Sequence, residues 1–159
     1  MRTYLPDEAA TVALAKALAG ALPGGIGGLT LLLEGDLGAG KSTFARSLIH
    51  AMGHSGPVPS PTYTLVEPYD LPAGHIYHID LYRVSSEDEL RYLGWNELDE
   101  GFRIVEWPER APGIAAEADL RVRLAYEGAG RSAEIQARSD RGERIVTAIQ
   151  TQALTDPED

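Results

Sequence analysis

Residues 35–42 read Gly-Asp-Leu-Gly-Ala-Gly-Lys-Ser, the G-x-x-x-x-G-K-[ST] pattern of a phosphate-binding loop, and this octet restricts the possible folds more than any other feature of the chain. Such a loop works only between a strand and a helix. The strand delivers the chain to a turn of glycines, and the helix behind it points its first N–H groups at an anion. Residues 29–33, Leu-Thr-Leu-Leu-Leu, form a short, almost wholly apolar run bounded by glycines, as expected of a parallel strand buried on both faces. Over 41–52, Phe44, Leu48, Ala51 and Met52 recur at helical spacing, and Gly53 is placed to cap the C-terminal end. The chain is therefore read as α/β: a single P-loop NTPase domain, 1–154, with a mixed β-sheet flanked by helices. Residues 155–159 are read as a disordered acidic tail.

The remaining elements follow from local signals. Pro6, Asp7 and Glu8 suit a helix start, and Ala9, Val12, Ala13 and Ala17 continue it until Gly20 and Pro23-Gly24-Gly25. Residues 54–62 are rich in proline, glycine and serine, which predicts a surface loop. Strands are expected over 63–69 and 75–80, joined as a hairpin through Leu71-Pro72-Ala73-Gly74. Ser86 with Glu89 is the spacing of a capping box for a short helix ending near Gly94. A further strand is expected over 102–105, and a second hairpin with one wet face over 119–126 and 132–138. A closing helix spans 141–154.

One domain suits 159 residues of which 43% are hydrophobic. The formal net charge of −10, from 24 acidic and 14 basic residues, opposes a broad electrostatic grip on nucleic acid or anionic lipid. Any RNA would be held by a partner. With no cysteine, a disulfide framework, a thiol nucleophile and a thiolate metal site are excluded. No apolar run approaches about 18 residues and the first residues lack a signal core, so the expectation is a soluble, cytoplasmic protein.

The loop motif predicts nucleoside triphosphate binding. Backbone N–H groups of Leu37, Gly38, Ala39, Gly40 and Lys41 form a cradle for the β-phosphate, with Asp36 in the same loop. Lys41 would bridge β- and γ-phosphate oxygens, and Ser42 would offer a hydroxyl to Mg²⁺. Magnesium also calls for a carboxylate near the strand ends, where Asp80 and Glu106 stand. Asp80 is the first choice for the metal, and Glu106 for orienting the attacking water or completing the metal shell, although the two roles can be exchanged. Thr62 lies where switching nucleotidases place a threonine that senses γ-phosphate and metal. Arg83 is read either as a transition-state cation or as a surface ion pair. Trp107 could close over the base or ribose, or belong to the core, and His78 is read as structural. No Asn-Lys-x-Asp or Thr-Lys-x-Asp is present, so ATP is the default nucleotide.

Taken together and in order, Gly35-Asp-Leu-Gly-Ala-Gly-Lys-Ser-Thr43 through Arg46, Ser60-Pro-Thr-Tyr63, His78-Ile-Asp-Leu-Tyr-Arg83 and Glu106-Trp-Pro108 make a chain that resembles the bacterial TsaE family. The resemblance covers roughly residues 30–110, while the last 45 or so carry little that is diagnostic. Ser42 stands where threonine is common, a harmless exchange because either hydroxyl can ligate magnesium. The resemblance implies a small Mg²⁺-dependent ATPase required for threonylcarbamoyl modification of adenosine 37 in transfer RNAs reading codons that begin with A. It implies that the protein joins TsaD and TsaB, meets transfer RNA only through them, and supports turnover without transferring the threonylcarbamoyl group. It also implies that Lys41, Ser42 and Thr43 serve phosphate and magnesium, Thr62 a switch-like loop, Asp80 and Glu106 metal and hydrolysis, and Trp107 the nucleotide environment. Arg83 matches the family motif without a settled role. Two other readings stay open: a small-molecule kinase, for which Arg83 and Arg91 make a poor lid, and a nucleotide-gated adaptor that does not depend on hydrolysis.

Overall fold

The computed structural model describes residues 1–155. Its strands are β1 (Arg2–Leu5), β2 (Thr30–Glu34), β3 (Val66–Leu71), β4 (Gly74–Asp80), β5 (Phe102–Glu106), β6 (Leu120–Glu127) and β7 (Gly130–Ala137), and its helices α1 (Glu8–Ala21), α2 (Lys41–Ala51) and α3 (Asp140–Thr155). The strands form one sheet in the order β1-β7-β6-β2-β5-β4-β3. β2 runs parallel to both β5 and β6, and β4 parallel to β5. β3, β7 and β1 add antiparallel, which makes the sheet mixed, as expected.

Burial on both faces explains the apolar run of β2. Leu31 and Leu33 pack into the core under the helices with Leu18, Phe44, Leu48 and Ile149, while Leu32 faces a smaller core with Ile79, Val105, Trp95 and Ile114. Each such fully buried side chain contributes about 1.5–3 kcal/mol relative to exposure. Four short 3₁₀ segments between Glu87 and Glu117 build that second core in place of α-helices. On β6, by contrast, Leu120, Val122 and Leu124 are buried and Arg123 and Ala125 exposed, the one-sided pattern read from the sequence.

Several local expectations are corrected. The strand expected at 63 begins at Val66, because residues 61–64 form turns and Leu65, which follows them, takes a left-handed φ of 70° and donates its N–H to the Pro61 carbonyl at 2.7 Å. Pro68 fits β3 because this strand is an edge. Gly20 does not stop α1, which runs to Ala21. The helix after Ser86 is 3₁₀, and Ser86 makes no side-chain cap; the Glu89 carboxylate instead accepts the Ser85 N–H at 3.4 Å. β1 carries no strand signal strong enough to be read locally, and it exists through its pairing with β7. Of the expected tail, Thr155 closes α3 and 156–159 lie outside the described residues.

Register and pleat prepare the site. Asp80 pairs with Glu106 and His78 with Ile104, so His78, Asp80 and Glu106 share the helix-side face with the core residues Ile76, Phe102 and Ile104. Those two strand ends meet the start of α2.

Candidate nucleotide site

The glycine loop turns sharply out of β2. Gly40, at φ 110°, begins α2 in a left-handed conformation that favours glycine, and having no side chain it leaves the helix start without a side-chain cap of its own. Gly38 also has positive φ, and a Cβ on it would collide with the Tyr126 hydroxyl. The β6–β7 hairpin supports the loop from behind: Tyr126 donates its hydroxyl to the Leu37 carbonyl at 3.0 Å, and Arg131 Nη2 donates to the Gly38 carbonyl at 3.3 Å.

In front of the loop lies a cleft of about 340 Å³ lined by Leu37, Gly38, Gly40, Lys41, Ser42, Thr43, Thr62, Asp80, Tyr82, Glu106 and Trp107. The Lys41 ammonium donates to the carbonyls of Gly35 and Asp36, the latter at 3.2 Å, and lies 4.2 Å from the centre of the Trp107 ring. Burial pulls its pKa below the ordinary lysine value, against the opposing influence of Glu106, Glu109, Asp80 and Asp36. Trp107 follows β5 in a left-handed conformation, φ 58°, that carries its ring back over the loop and against Tyr82, 5.0 Å between centroids.

The two carboxylates have different surroundings. The Ser42 hydroxyl donates to Glu106 Oε1 at 3.2 Å, and His78 Nε2 lies 2.6 Å from Glu106 Oε2. Asp80 Oδ1 accepts the Tyr82 N–H at 2.8 Å, and Oδ2 accepts the Thr62 hydroxyl at 3.2 Å. Burial is the main cause that raises the Asp80 pKa, with Glu106 adding to it and the Tyr82 and Thr62 hydrogen bonds opposing it.

Ser42, Thr62, Asp80 and Glu106 thus present hard oxygens of the kind magnesium prefers. Among the described residues no three His, Cys, Asp or Glu side chains cluster tightly enough to hold a metal by themselves. A cation fitted here would complete its shell with phosphate oxygen and water, as magnesium does. Of the other sequence candidates, Asp36 contributes its backbone carbonyl to Lys41 and to the Ala39 N–H, and Ala39 is buried beneath the loop. Arg83 does not line the cleft; its guanidinium lies 4.3 Å from the ring centre of the exposed Tyr63. Sequence reasoning did not single out Tyr82. It also missed a second cleft of about 310 Å³ behind the loop, where Pro6, Asp7, Thr11 and Arg131 meet Gly38, Ala39, Gly40 and Thr43. Nothing local could reveal that cleft, because its walls come from opposite ends of the chain.

Comparison with known proteins decides the family. Residues 5–135 match the model of the threonylcarbamoyl adenosine biosynthesis protein TsaE. The chain belongs to the TsaE family. The tRNA threonylcarbamoyladenosine biosynthesis protein TsaE of Haemophilus influenzae is 38% identical over 150 residues, 92% of this chain and 95% of that protein. The TsaE of Synechocystis is 39% identical over 123 residues, 74% of this chain and 76% of its own. The crystal structure of Bacillus subtilis YdiB superposes with a TM-score of 0.72 at 25% identity, covering 96% of this chain and 95% of that one. As a TsaE family member the chain carries its match through every element of the cleft, from β2 to Trp107.

Proposed function

We propose that this TsaE family member is a Mg²⁺-dependent ATPase that acts in threonylcarbamoyladenosine modification of transfer RNA. It works in the cytoplasm with TsaD and TsaB and meets transfer RNA only through them. The observation that carries this reading is the convergence of Lys41, Ser42, Thr62, Asp80 and Glu106 on one cleft in front of the glycine loop. Loop N–H groups and Lys41 bind the phosphates, Lys41 exchanging its bonds to the Gly35 and Asp36 carbonyls for phosphate oxygens. Bound magnesium would neutralise charge on the β- and γ-phosphates. Ser42 would offer a magnesium ion its hydroxyl oxygen while still donating to Glu106, and Glu106 would serve to orient the attacking water or complete the metal shell. Asp80 and Thr62 form the second wall, where Asp80 would hold the metal directly or through water and Thr62 would respond to the γ-phosphate. The cleft behind the loop, continuous with Thr43, suits the nucleoside.

ATP hydrolysis measured for the purified chain, alone and after addition of TsaD, TsaB and transfer RNA, tests the reading. Slow hydrolysis that rises with the partners supports it. Nucleotide binding without hydrolysis in either mixture would instead make the chain a nucleotide-gated adaptor, a reading favoured by the hydrogen bond that ties the Thr62 loop to Asp80.

A further inference from the structure

His78 is almost wholly buried, 2% exposed, and so is Glu106, also 2%. A side chain kept in a core for packing alone does not need two nitrogens, and burying them without partners costs free energy. Among the described residues His78 makes one hydrogen bond, between Nε2 and Glu106 Oε2 at 2.6 Å, while Nδ1 has no partner. Facing a carboxylate, whose oxygens accept, Nε2 is the ring nitrogen placed to donate. The entire hydrogen-bonding capacity used by this ring is directed at one atom of the candidate site.

Glu106 needs such a partner. It ends β5 and its carboxylate has two side-chain donors, the Ser42 hydroxyl on Oε1 and His78 on Oε2. If His78 did not hold Oε2, the side chain could rotate about its last torsion, which is broad and soft, and Oε1 would leave Ser42. Because β4 and β5 run parallel with His78 opposite Ile104, the ring reaches Glu106 diagonally from beneath and never enters the cleft.

We propose that His78 is a positioning residue for hydrolysis: by donating Nε2–H to Oε2 it fixes the carboxylate plane of Glu106 so that Oε1 faces Ser42 and the phosphate side of the cleft. This rests on the reading of Glu106 given above. His78 touches neither nucleotide nor metal, so it acts on the rate of hydrolysis and leaves nucleotide binding alone.

The test compares two polar replacements in the full-length chain. In His78→Gln the side-chain amide extends to where Nε2 stood and can still donate to Glu106, whereas in His78→Asn it is too short. Single-turnover ATP hydrolysis is expected to stay within about threefold of the parent in His78→Gln and to fall at least about tenfold in His78→Asn, the range seen when a partner behind a metal-site ligand is lost. The calorimetric Kd for ATP with Mg²⁺ is expected to change by no more than about twofold in both. Equal losses in the two variants, or a Kd that worsens in step with the rate, would reduce His78 to a structural role. Long-range ¹H–¹⁵N spectra of the imidazole give a readout independent of turnover: the hydrogen is expected on Nε2, with a shift that moves in Glu106→Ala, and a ring without hydrogen on Nε2 overturns the proposal. Glu106→Ala also separates the two readings. If it hydrolyses ATP normally, the role given to Glu106 fails; if it is inactive while His78→Asn keeps the full rate, only the role of His78 fails.

Discussion

Asp80 and Glu106 face each other across β4 and β5 as register partners, both nearly buried, yet the two sides of the cleft they form are built differently. Glu106 is anchored to regular structure, to Ser42 in the first turn of α2 and to His78 within β4. Asp80 is anchored to irregular chain, to the Tyr82 backbone after β4 and to Thr62, whose own hydroxyl pairs with exposed Ser60 at 2.8 Å. One carboxylate is held by elements that packing makes rigid, the other by a turn-rich segment with few core contacts. The same residue chemistry at the same height in the sheet thus gives a fixed wall and an adjustable one. A partner that ordered the Thr62 loop would act on the Asp80 side only.

Mutating the fixed wall is expected to have the largest effect. Glu106→Ala should lower single-turnover hydrolysis by about 10²–10⁴-fold, the range for a group that positions or activates the nucleophile, with ATP affinity changed little. It also strands the Ser42 hydroxyl and His78 Nε2, so a loss of about 1–3 kcal/mol in chemical denaturation should accompany it.

On the adjustable wall the stability effect reverses. The folded Asp80 carboxyl titrates above its ordinary 3.8, chiefly because it is buried. The folded chain therefore binds that proton more tightly than the unfolded chain. Stability contributed by this group is present below about 3.8 and is lost as pH rises through the folded value, which leaves a net cost at neutral pH. Asp80→Asn removes the charge and keeps an acceptor for the Tyr82 N–H, so Tm should rise at pH 7, by about 2–4 °C for each kcal/mol recovered. The gain should shrink as the pH of the melting experiment approaches 4, while hydrolysis is largely lost. A lower Tm at pH 7 would erase the contrast between the walls.

Thr62→Ala removes a single hydroxyl from the Asp80 side, and about a three- to tenfold drop in the hydrolysis rate is expected. That drop should be larger when TsaD and TsaB are present if, as proposed, these partners order the loop; an equal drop with and without partners would make the adjustable wall as fixed as the other. The smallest effect belongs to Ser42→Thr, which keeps the hydroxyl that donates to Glu106, and its hydrolysis rate should stay within about twofold.

Much of this was readable in the linear chain. The strand–loop–helix of residues 29–53, both hairpins and the closing helix depend on signals within a few residues of each other: an apolar run, a glycine, an alternation. The loop motif and the carboxylates at two strand ends also named most of the cleft. Where reading failed, distant chain decided the outcome. β1 forms only because β7 offers it an edge, and 63–65 leave the strand state because Leu65 closes a turn on Pro61 and hands its carbonyl to the Asp80 N–H at 2.9 Å. The cleft behind the loop needs Asp7 and Thr11 from one end of the chain and Arg131 from the other.

Local signals along the chain already place a phosphate-binding loop between a buried strand and a helix, with Asp80 and Glu106 ending strands near it. Periodicity and glycine placement are local physics, and they act before the chain is compact. Which partner each carboxylate received depended on how distant strands came together. Strand order put β5 next to β2 and β4 beyond it, so Glu106 reached Ser42 and Asp80 reached Thr62. The register between β4 and β5 then brought His78 beneath Glu106. Those choices rest on long-range pairing of backbone hydrogen bonds, which no local pattern encodes.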